Sequence, residues 1–90
     1  MEIQLSAIRD MIFGTDDVAN NEEKQALRKY NLRKALALGN LYKRKVLIYF
    51  RSVDGMLRRI ETTVWAVGEE YISLKAGVSL PIKSVEKIEF

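Results

Sequence analysis

The feature that most constrains this chain is a change of hydrophobic period around Gly39-Asn40. Before it, the run NEEKQALRKYNLRKALAL (residues 21–38) joins strong helix formers with no Gly or Pro. After it, from Lys43 to Arg51, apolar residues alternate. Val46, Ile48 and Phe50 fall on one face of an extended strand, with Leu47 and Tyr49 on the other. A step of three to four residues is a helix and a step of two is a strand, so the chain passes once from helical to β structure. Its 90 residues suit one domain with one modest core.

The helical part extends to the N-terminus. Leu5, Ile8, Met11 and Ile12 line one face of a short first helix, and Gly14 supplies a C-terminal stop. Asn20 followed by Glu23 resembles a capping box, which predicts the start of a second helix. On that helix Ala26, Leu27, Tyr30, Ala37 and Leu38 share one arc and form the expected packing face. Leu32 and Leu36 make a smaller apolar strip on another side. Either the first helix or a partner chain would cover that strip.

The β part carries its own punctuation. Asp54-Gly55 is a strong hairpin signal between Lys43–Arg51 and a long, β-branched strand from Met56 to Val67. That strand is apolar on both faces, a pattern expected of a bent strand shared by two sheets. It sets Val64 and Trp65 on opposite sides, so a buried Val64 predicts an outward Trp65. Gly68-Glu69-Glu70 and Ala76-Gly77 mark further turns, and Pro81 belongs at an edge. One tight turn at Ile82–Val85 precedes a last short strand holding Ile88 and Phe90. The expected fold is α+β: two N-terminal helices (1–40) packed on a strongly bent five-stranded antiparallel sheet or small barrel (43–90).

This order, ending in VSLPIKSVEKIEF, resembles the Sm-like small barrels and, more broadly, the SH3-like barrels over about residues 20–90. The segment KVLIYFRSVDGMLRRIETTVW is similar to a first Sm motif: strand, Asp-Gly turn, long second strand. The resemblance implies a barrel with an N-terminal helix and, in its RNA-binding members, an Asp and an Asn in a loop between strands. Gly68-Glu69-Glu70-Tyr71 stands there instead. Two acids repel phosphate, so the family's RNA pocket does not carry over.

The net charge of +3 is a remainder. Residues 1–23 sum to −5, residues 24–59 to +10 and residues 60–90 to −2. A basic middle between acidic ends points to an anionic partner or to an internal electrostatic match. The absence of Cys and His excludes disulfide frameworks, thiol chemistry and imidazole catalysis. Adjacent acids such as Asp16-Asp17 and Glu69-Glu70 splay apart rather than converge, and no glycine-rich phosphate loop is present. These readings give no catalytic residue, no metal site, no cofactor and no evident small-molecule substrate. No membrane-spanning or targeting segment is evident, which makes a cytoplasmic protein the expectation.

Two surfaces stand out. Tyr42, Lys43, Arg44, Lys45, Arg51, Arg58 and Arg59 join cations to an aromatic ring, a mixture that suits single-stranded nucleic acid. The plainer account is a solvated edge with charges guarding the apolar run 46–50. Lys24, Arg28, Lys29, Arg33 and Lys34 wrap the second helix and read as surface charge partly balanced by the acidic first segment. Trp65, with Leu32 and Leu36, is the candidate surface for a protein partner or a second copy. The expected function is a non-enzymatic binding or assembly module acting through protein contact or self-association. RNA binding through residues 42–59 is the alternative.

Overall fold

The computed structural model describes residues 3–90. One α-helix, α1 (Glu22–Tyr42), is followed by six strands: β1 (Val46–Arg51), β2 (Leu57–Thr62), β3 (Val64–Val67), β4 (Tyr71–Leu74), β5 (Ser79–Pro81) and β6 (Val85–Glu89). They form two three-stranded antiparallel sheets, ordered β2-β1-β6 and β3-β4-β5. The expectation of two helices and five strands is corrected in both counts. Leu5–Asp10 is a six-residue 3-10 helix, not an α-helix. The long strand expected over 56–67 is interrupted at Thr63, which raises the count to six, while its halves β2 and β3 serve different sheets as its two apolar faces predict.

Each element follows from local chemistry. Asn21, not Asn20, caps α1: its side chain accepts from the Lys24 backbone N–H at 2.8 Å, while Glu22 and Glu23 complement the positive end of the helix dipole. The helix runs past Gly39, which does not end it. A Cβ on Gly39 would lie 2.6 Å from the Val64 carbonyl oxygen, so glycine lets α1 press directly on β3. The helix ends in a left-handed Lys43 (φ 53°), whose N–H bonds back to Gly39 and Leu38. In the β1–β2 hairpin Gly55 takes φ 78° and the Asp54 carboxylate accepts from the Met56 N–H, as the Asp-Gly signal implies.

The core lies between the sheets and under the helix. Val46, Ile48 and Phe50 from β1 pack with Ile60, Val64, Ile72, Leu74, Leu80, Val85 and Ile88, and α1 adds Leu32 and Ala35. The alternation read for β1 is therefore the alternation observed, buried then half-buried along the strand. The helix is turned the other way from its expected orientation. Of the expected face Ala26, Leu27, Tyr30 and Ala37 are exposed and Leu38 is half-buried, while Arg28, Leu32, Ala35 and Gly39 face the core. The arc with more apolar residues lost to the one that combines small residues with Leu32, because only the latter permits close approach to β3.

Residues 3–20 drape over the molecule. Ile8 is buried in the core, and backbone bonds tie Ile3 to Arg59, Ile12 to Val53 and Val18 to Lys83. Among the described residues no helix is long and apolar enough to cross a membrane.

Candidate functional site

The seven residues of the basic candidate surface do not form one patch. Tyr42 is the last residue of α1, and Lys43, Arg44 and Lys45 form the link to β1 rather than the start of a strand. Arg51 lies at the far end of β1, about 20 Å from Lys45 at 3.3 Å per residue. Tyr42 to Lys45 are exposed, and among the described residues Lys43, Arg44 and Lys45 make no ion pair.

The arginines at the other end are occupied. Arg51 and Arg58 do converge on the hairpin loop, each already holding a carboxylate. Arg51 pairs with Glu86 at 3.0 Å and donates to the Gly55 carbonyl at 2.6 Å. Arg58 grips Asp54 with both terminal nitrogens, at 2.9 and 3.1 Å. That grip, then the Met56 N–H and the Ser52 hydroxyl, holds the Asp54 carboxyl far below the usual range. Arg59 sits opposite Tyr49 on the outer face of the first sheet. There Tyr49 donates to Glu89 at 2.7 Å, and Lys87 lies over the Tyr49 ring at 4.7 Å. The Tyr49 hydrogen bond, followed by the charges of Lys87 and Arg59, lowers the Glu89 carboxyl. This face balances its own charge.

Trp65 and the two leucines separate as well. β3 and β4 slip register between Val64 and Ala66, so Trp65 is the extra residue of a β-bulge, and Ala66 beyond it is exposed too. Trp65 is 51% exposed while Val64 is fully buried, the opposition that alternation predicts. Leu32 is a core residue, 1% exposed, and offers nothing to a partner. Leu36 is half-buried and lines a groove of about 690 Å³ between α1 and the β3–β4 turn. Lys29 and Arg33 stand on the helix side of that groove and Glu69 on the turn side, over Val67 and Ile82.

Sequence reasoning missed two features. Arg28, read as surface charge, is 7% exposed. It holds Asp17 with both terminal nitrogens at 2.7 and 2.8 Å and donates to the Val85 carbonyl at 3.1 Å. The Arg28 hydrogen bond lowers the Asp17 carboxyl despite the opposing effect of burial. The only signal was the charge contrast between the first segment and the helix. The second feature is the exposed apolar face of α1: Leu27, Tyr30 and Leu41 are 61%, 67% and 72% exposed. Among the described residues no group of three or more His, Cys, Asp or Glu side chains could hold a metal ion.

Comparison with known proteins gives no match: no family model, no curated protein and no solved structure matches the chain.

Proposed function

We propose that this protein is a non-enzymatic assembly module of the Sm-like or SH3-like small-barrel type, working by protein–protein contact. β2 and β3, separated only by Thr63, support reading them as one bent strand shared between the sheets. That makes five strands curved around one core, with α1 where the resemblance expects an N-terminal helix.

The observation that carries the functional reading is the distribution of exposed apolar side chains. Ile12, Val53 and Met56 are exposed in loops, but Leu27, Tyr30 and Leu41 on the outer face of α1 and Trp65 on its bulge stand on regular elements, where they can form a contact surface. Arg51 and Arg58, which would enlarge a nucleic-acid surface, hold internal carboxylates instead. RNA binding is the second reading, favoured by Tyr42 beside exposed Lys43, Arg44 and Lys45. Titration of labelled single-stranded RNA at low salt separates the two. The assembly reading expects no saturable binding at about 10 μM protein, within the range of ordinary non-specific affinities. Salt-sensitive binding there, lost when Lys43, Arg44 and Lys45 are changed to Ala, would overturn it.

A further inference from the structure

We infer that the outer face of α1 pairs with the same face of a second copy, the two helices lying antiparallel about a two-fold axis. The inference rests on the assembly reading above and names its surface and partner.

The face has the spacing that such a pair needs. Leu27, Tyr30, Lys34, Ala37 and Leu41 follow one another at steps of three, four, three and four, the repeat that keeps one seam in line along two packed helices. All five are exposed, on the side of α1 away from Leu32, Ala35 and Gly39. Phe90, half-covered, extends the seam by placing its ring 4.5 Å from the Lys34 ammonium.

Charge selects the partner and its direction. The start of α1 carries Glu22 and Glu23, and its end runs into Lys43, Arg44 and Lys45. A parallel pair would set like charges together at both ends. An antiparallel pair sets each acidic end against the other copy's basic end, and opposes the helix dipoles. In the register of full overlap, Leu27 faces Ala37 of the second copy and Tyr30 faces its Lys34. Large meets small in one layer, a cation meets a ring in the next, and at each end Leu41 lies against Glu23 of the second copy. Arg33 approaches its own copy in this register, but at the solvated margin where water screens the repulsion. The contact is isologous, so it closes at two copies. With few large apolar side chains per copy, it belongs to the small, weak class of interfaces, with a dissociation constant of about 10–100 μM.

Sedimentation equilibrium of the full chain over a concentration series tests the pair. The wild type should show a monomer–dimer equilibrium. Tyr30→Lys sets like charges together at Lys34 of the second copy, and Leu41→Glu does so at its Glu23; each should raise the dissociation constant at least about tenfold. Both side chains are exposed, so circular dichroism should report an unchanged fold. The chain has no cysteine, which makes cross-linking a clean test of direction. Under mild oxidation Leu27→Cys and Ala37→Cys proteins should cross-link when mixed and not separately. Leu27→Cys joining to itself would overturn the antiparallel arrangement. Self-association that ignores both variants would overturn the α1 pair and leave the assembly reading standing. A wild type that stays monomeric at about 1 mM, far above the expected dissociation constant, would also overturn the pair. The functional reading itself falls only on the RNA titration.

Discussion

Two arginine–aspartate pairs in this protein have nearly the same geometry and different consequences. Arg28 and Arg58 each grip an aspartate with both terminal nitrogens, at distances between 2.7 and 3.1 Å. Arg58 and Asp54 are four residues apart in one hairpin, with side chains 18% and 44% exposed. Arg28 and Asp17 are eleven apart, with side chains 6% and 21% exposed, and Arg28 also reaches Val85. The first pair fixes a turn that its neighbours already favour. The second joins the N-terminal segment, the helix and the last strand. Bond length does not rank them; burial and chain separation do, because they set what each side chain loses when its partner goes.

Asp17→Ala tests this ranking most severely. It leaves the Arg28 guanidinium buried with only the Val85 carbonyl, at a cost of about 3 kcal/mol in stability. For a domain of this size that lowers the thermal midpoint by about 15 °C. Adding Arg28→Met should restore most of the loss, since an apolar side chain of similar length needs no counter-charge there. Calorimetry giving a midpoint within a few degrees of wild type for Asp17→Ala alone would reduce this pair to the rank of the other.

Acid should reveal the same contrast with a smaller effect. The folded Asp17 carboxyl titrates below its unfolded value, held down first by its Arg28 hydrogen bond. Its contribution is therefore complete above the unfolded pKa of about 4 and is lost as pH falls through the folded value. The stability gap between wild type and Asp17→Asn should be constant near neutrality and narrow below about pH 4. Denaturant midpoints measured along that range give the answer. A gap that stays constant into the acid would mean that the charge on Asp17 contributes nothing. Asp54 is lowered too, but a pair four residues apart inside a turn partly survives in the unfolded chain, so less of its shift appears as stability.

The same division explains what was legible in the sequence. Asp54-Gly55 is read from adjacent letters, and so are the β1 alternation, the turns at Gly68 and Gly77, and the opposition of Val64 to Trp65. Their causes are local. Asp17–Arg28 is invisible to such reading, because nothing in either neighbourhood says that residues 17, 28 and 85 meet. The helix shows the failure sharply. Counting apolar residues favours the face of Leu27 and Tyr30, which is exposed, and overlooks the face of Arg28, Ala35 and Gly39, which is buried. What seats α1 is Gly39 on the Val64 carbonyl, and a glycine adds nothing to a count of apolar residues. The basic surface fails likewise: its residues fall within one stretch, 42–59, but β1 carries the two ends apart, Arg51 takes Glu86 from β6, and Arg58 is held by Asp54 of its own hairpin.

The smallest effect belongs to the hairpin pair. Asp54→Asn keeps the shape of the side chain and an oxygen for the Met56 N–H and the Ser52 hydroxyl, while removing the charge that Arg58 holds. Gly55 still supplies the positive φ that the turn requires. The strand register from Arg51↔Leu57 to Val46↔Thr62 rests on buried Ile48, Phe50 and Ile60, which the substitution does not touch. The thermal midpoint should stay close to wild type, and amide resonances should shift only around residues 52–58. Raising the salt concentration should change wild type and Asp54→Asn alike, since an exposed pair is already screened. If Asp54→Asn instead destabilised the whole domain as Asp17→Ala does, a local pair would be carrying a global load. Burial and separation would then no longer separate the two arginines.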